Sequence, residues 1–236
     1  MLYISKYLSL YDLGTYGLIA AFIAFSIPLV GFRLEYIFSR DIVGASPQEA
    51  AIIIKKEFAF YLLNYAILGF GCLLFLPYLL QEINTQILTL TLIIAVLEGL
   101  STLAVAKLTS QEKPITGNVI LFVRSSLWVF PFITLGMIDP YYRTIDHLLV
   151  FWMSGALFSL ILSFYYWKDL PWKEVSQEKI NWQEFKPKIK KALPIWLSGM
   201  FLVGALHLDR FIVELFLNRE LVGIISFYGS FIVALN

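Results

Sequence analysis

The stretch ILTLTLIIAVLEGLSTLAVA, residues 87–106, decides the fold class. A helix of about 20 residues rises about 30 Å at 1.5 Å per residue, which matches the hydrocarbon thickness of a bilayer. Its single charge is Glu98. Working outward, five more stretches meet or approach that length: 16–32, 58–80, 115–138, 148–167 and 193–217. A seventh, 222–235, begins in the same style but is too short to cross, which suggests a chain cut inside a helix. The expected fold is an all-α, polytopic transmembrane helical bundle.

Composition agrees. Of the 236 residues 59% are hydrophobic and only 15% charged, and the mean hydropathy is +0.75. Soluble domains run at about 45–50% apolar and about 25% charged. A soluble core of this size would have to hide 20 Phe, 13 Tyr and 6 Trp, so a water-soluble reading is excluded. Disorder, which needs low hydrophobicity and high net charge, is excluded too. A net charge of +1 gives no sign of nucleic-acid binding. One cysteine, Cys72, and two distant histidines, His147 and His207, cannot close a zinc site, and no cofactor is implied.

Helix starts are marked by Ser9 with Asp12, an S-x-x-D cap ahead of the first span, and by Ser46-Pro47-Gln48-Glu49. The second helix should run through Lys55 and Lys56 into the 58–80 span. Residues 1–13 lack the pattern of a signal peptide. Basic residues then set the orientation, because cytoplasmic loops keep an excess of Lys and Arg. Segments 33–57, 107–114 and 168–191 carry thirteen; segments 1–15, 81–86, 139–147 and 218–221 carry three, Lys6, Arg143 and Arg219. The N-terminus is expected outside and the 168–191 loop in the cytoplasm. Tyr165, Tyr166, Trp167 and Trp172 fit an aromatic belt at that inner interface.

A shift of 206 residues lays 222–235 over 16–29, placing Gly223 on Gly17, Ile225 on Ile19, Tyr228 on Phe22, Phe231 on Phe25 and Leu235 on Leu29. Transporters are often built from such repeats. The repeat would place one further span ahead of Met1. It divides the chain into a first lobe at 1–167, an inter-lobe linker at 168–191, and the start of a second lobe at 192–236.

Four stretches carry a family likeness: LSLYDLGTYG at 8–17, GFRLEYIFSR at 31–40, Arg124 within its span, and ALP at 192–194 followed by DRFIV at 209–213 and Gly223. Together they resemble the polysaccharide biosynthesis (lipid-linked oligosaccharide, O-antigen-type) flippase family of the multidrug/oligosaccharidyl-lipid/polysaccharide exporter superfamily. The resemblance implies a two-lobed, alternating-access transporter in the plasma membrane. Its partner would be a lipid-pyrophosphate-linked oligosaccharide, with a coupling ion in addition.

Charges at membrane depth are costly and default to functional candidates. Glu98 and Arg124 lie about 12–14 Å from the inner ends of two spans joined by a short loop, so a hairpin brings them level. They either lock the hairpin as a buried pair or line a cavity in which Arg124 grips phosphate through its planar fork. His207, Asp209, Arg210 and Glu214 form a second cluster. Arg210 and Glu214, four apart, can pair along the helix; His207 and Arg210, three apart, share a face. Asn64 reads as a helix–helix contact, and Pro28, Pro77, Pro131 and Pro194 as bends or ends. A small-molecule exporter with embedded carboxylates is the alternative. A membrane-embedded glycan-assembly enzyme is disfavoured, because the outer loops are short and no catalytic motif is present.

Overall fold

A computed structural model of the chain describes residues 2–79 and 84–235, with side chains placed for 3–74 and 84–229. The connection at 81–86 and the end of the 58–80 span therefore lie partly outside the described residues, as do the side chains of Pro77, Phe231 and Leu235. The described elements are helical throughout: α1 (Leu2–Tyr7), α2 (Leu10–Gly31), α3 (Leu34–Ile42), α4 (Pro47–Leu79), α5 (Thr85–Ser110), α6 (Pro114–Phe122), a π-helical turn (Val123–Leu127), α7 (Val129–Ile138), α8 (Ile145–Tyr166), α9 (Trp172–Ser176), α10 (Phe185–Phe216) and α11 (Arg219–Leu235), with short 3-10 turns at Pro140–Tyr142 and Trp182–Glu184. Among the described residues six segments are long and apolar enough to cross a bilayer: Leu10–Gly31, Pro47–Leu74, Thr85–Ser110, Pro114–Ile138, Ile145–Tyr166 and Trp182–Phe216. The chain is an all-α, multi-pass membrane protein.

The caps set where spans begin. Ser9 Oγ accepts from the Asp12 amide at 3.0 Å and donates to the Asp12 carboxylate at 2.7 Å, so α2 starts at Leu10, ahead of its apolar run. Ser46 and Glu49 exchange bonds in both directions, and α4 runs unbroken through Lys55 and Lys56 into the membrane. Each such cap contributes about 1 kcal/mol.

Close approach of the spans depends on small residues. Ser101 Oγ lies 2.6 Å from Ser159 Oγ and donates to the Ala156 carbonyl, tying α5 to α8. Gly99 leaves room for the Tyr65 ring and Gly155 for Trp128. Asn64 Nδ2 donates to the Val30 carbonyl at 2.9 Å, the expected helix–helix contact. α2 also packs lengthwise on α11: a Cβ at Gly14 would collide with the Arg219 backbone, one at Gly17 with Ser226 Oγ, and one at Gly223 with the Leu10 carbonyl. Gly17 and Gly223, equated by the 206-residue shift, thus both lie in one seam.

The 115–138 span is present as Pro114–Ile138 and is irregular ahead of Pro131, the proline expected to mark a bend, which has no N–H and whose ring conflicts with the carbonyl four residues back. The helix widens into the π-helical turn just before it. The boundary at 191/192 falls inside α10, which is already helical from Phe185. The 168–191 stretch is accordingly no free loop: α9 is held by Lys55 Nζ on the carbonyls of Val175, Ser176 and Glu178, and Lys56 pairs with Glu184 at 2.7 Å. Trp167 does not face the interface; it is 1% exposed and donates to Gln111 Oε1 at 2.9 Å, packed edge-on against Phe58.

Between α2 and α3 the chain turns through two consecutive left-handed residues, Phe32 (φ 51°) and Arg33 (φ 56°). Neither is glycine, and each such residue costs about 1–2 kcal/mol.

Candidate functional site

The hairpin of α5 and α6 brings Glu98 and Arg124 together. Arg124 Nε lies 3.4 Å from Glu98 Oε2, and its Nη1 donates to Thr102 Oγ1, one helical turn along α5. The other carboxylate oxygen, Oε1, accepts from Trp152 Nε1 of α8 at 2.7 Å. Trp152 stacks on Trp128 at 6.1 Å and 10°, and packs against Tyr16 of α2 at 5.7 Å. Both partners are largely shielded, with side-chain exposures of 11% for Glu98 and 16% for Arg124. The π-helical turn, Val123–Leu127, carries Arg124. This cluster is internally neutral.

The second cluster differs from expectation. Glu214 does not pair with Arg210. α10 ends at Phe216 and the chain reverses through Leu217 and Asn218, so Arg219 folds back onto Glu214, with Nε 2.8 Å from Oε1. Arg219 also donates to Tyr11 Oη at 2.8 Å, crossing the seam to α2. Asp209 is exposed and accepts the Arg210 amide. Arg210 Nη1 instead contacts His207 Nδ1, and its Nη2 points toward Gly229 of α11, where a Cβ would sit 3.6 Å away. The buried Nε of Arg210 makes no hydrogen bond. Among the described residues no carboxylate lies within ion-pair distance of Arg210. Tyr16, packed on Trp152, is within electrostatic reach of both Arg210 and Glu98.

Arg210 lies six residues from the end of α10 and Tyr16 six residues from the start of α2, each about 9 Å inside its helix end. Glu98 lies near the middle of α5.

A third set escaped the sequence reading. Lys107 and Glu57 are both completely buried, with Nζ 2.7 Å from Oε2. Lys107 also donates to the Glu35 carbonyl and to Ser39 Oγ, and Tyr61 Oη donates to Glu35 Oε2 at 3.1 Å. Counted as a loop charge, Lys107 is in fact a core residue. Helical spacing carried the signal: Lys107 continues the buried row of Leu100, Leu103 and Ala104, and Glu57 continues that of Ile54 and Tyr61.

Compared with known protein families, with curated proteins and with solved structures, the chain matches none. Among the described residues no cluster of His, Cys, Asp and Glu could hold a metal ion.

Proposed function

We propose that the chain works within a transporter that moves a lipid-linked oligosaccharide across the plasma membrane, with Arg210 as its anion contact. The observation that carries this reading is that Arg210 is a cation within a span, beside a glycine of α11, and that among the described residues no carboxylate lies within ion-pair distance of it. A pyrophosphate linker is the chemistry such a guanidinium fits, because its donors match phosphate oxygens two at a time. The flippase-like stretches at 8–17, 31–40 and 209–213 support the same reading. So does the packing of α2 on α11, helices that the 206-residue repeat makes equivalent. His207 holds the Arg210 fork, while Glu98 and Arg124 serve as a positioning pair that neutralises itself. Of the three carboxylates that an organic-cation exporter would use, Glu98 and Glu214 are already occupied by Arg124 and Arg219, and Asp209 is exposed. No catalytic step and no cofactor are part of this proposal. The orientation proposed puts 168–191 in the cytoplasm; setting aside the buried Lys107, twelve basic residues still face three.

The test is transport of a polyprenyl-pyrophosphate oligosaccharide in proteoliposomes. Losing a charge-assisted hydrogen bond costs about 1.5–3 kcal/mol, so Arg210→Gln should slow transport roughly 10- to 100-fold. Arg124→Lys keeps a cation against Glu98 but loses the bidentate fork, and this variant should transport near the parental rate. Normal transport by Arg210→Gln together with a folded, inactive Arg124→Lys would move the phosphate contact to Arg124 and overturn the assignment.

A further inference from the structure

The elbow at Phe32–Arg33 is held from α10, across the 168–191 linker. The Phe32 ring stacks on Trp196 at 5.5 Å and 24°, and Trp196 Nε1 donates to the Pro28 carbonyl at 2.9 Å. That same carbonyl accepts the Phe32 amide at 3.1 Å. The Arg33 guanidinium fills a notch left by Gly199, where a Cβ would lie 2.6 Å from Nε. On its other side the elbow leads into α3, where Arg33 pairs with Glu35 at 3.3 Å and the Glu35 carbonyl accepts from buried Lys107. Two adjacent left-handed residues with full side chains do not persist on local preference, since the right-handed region is favoured at each. Packing must hold them, and much of that packing belongs to α10.

We propose that this elbow is a strained latch: α10 seated on Phe32 and Arg33 keeps them left-handed, and withdrawal of α10 lets them relax and turns α3 off the core. Movement of α10 is thereby passed through α3 to the Glu35, Lys107 and Glu57 set. The latch does not depend on what is transported, so it stands or falls separately from the role of Arg210.

A thiol probe in α3 tests it. Ile42 is 2% exposed and Ala156, in distant α8, is 0% exposed. Cysteines are placed singly at these positions in a Cys72→Ala background, in membranes, and their reaction rates with N-ethylmaleimide are measured. Trp196→Ala with Gly199→Leu removes the stack and fills the notch. It should speed reaction at position 42 roughly tenfold or more, the scale of one released left-handed residue, and leave position 156 unchanged. Adding Phe32→Gly and Arg33→Gly, which makes the left-handed turn free of strain, should return position 42 to slow reaction. Three results each overturn the latch: no change at 42, equal acceleration at 42 and 156, or acceleration that persists with the glycine elbow. The last would mean that α10 merely covers α3.

Discussion

Lys107→Met is expected to destabilise the protein by about 3–5 kcal/mol, the usual cost of leaving one member of a buried ion pair uncompensated. The partner left behind is Glu57, whose side chain is fully buried and whose Oε1 already lacks a hydrogen bond. The methionine nearly preserves the volume, so the loss reports charge rather than packing. Removing both charges, as Lys107→Met with Glu57→Leu, should recover most or all of the loss, because well-packed apolar pairs often equal or exceed buried ion pairs. Denaturation midpoints of the two variants and the parent, measured in one detergent, check this. A single variant as stable as the parent would contradict a charged, dry pair of Lys107 and Glu57.

Gly223→Leu should release α11 from α2. A side chain at 223 would meet the Leu10 carbonyl and the Gly14 amide, which are backbone atoms that cannot swing aside. Overpacking of a tight contact costs about 1–3 kcal/mol, or more where backbones must separate. Amide exchange along α11 should therefore quicken roughly 5- to 100-fold, while that of α5 and α8 stays at the parental rate. Gly71→Leu is the matched control, since nothing lies within 4 Å of a Cβ there. Parental protection of α11 in Gly223→Leu would contradict the seam.

The fold class was readable because a bilayer imposes one length and one polarity on every span, and 87–106 satisfies both by itself. Helix starts were readable where a short-range rule acts: Ser9 with Asp12, and Ser46 with Glu49, sit where their spacing puts them. What escaped was most of what a partner distant in sequence decides. Trp167 reads as an interfacial tryptophan until Gln111 and Phe58 come round to cover it. Glu214 has Arg210 four residues away on its own helix, yet the reversal after Phe216 delivers Arg219, whose guanidinium also reaches Tyr11. The pairing of Glu98 with Arg124 was legible as equal depth on a hairpin, but Trp152 and Thr102 as their further partners were not. Lys107 was misplaced because a lysine at the end of a span resembles a loop charge. Only its phase along α5 distinguishes it. The left-handed pair at 32–33 left no trace, since neither Phe nor Arg prefers that conformation.

The central claim, that Arg210 receives the pyrophosphate of a lipid-linked saccharide, is tested most directly by equilibrium binding to the purified chain in lipid nanodiscs. A polyprenyl-pyrophosphate oligosaccharide and a lipophilic organic cation are titrated separately into the parent and into Arg210→Gln. The account predicts saturable binding of the pyrophosphate lipid, weakened roughly 10- to 100-fold by Arg210→Gln, and no saturable binding of the cation. Saturable binding of the cation with none of the pyrophosphate lipid would contradict it, as would unchanged affinity in Arg210→Gln.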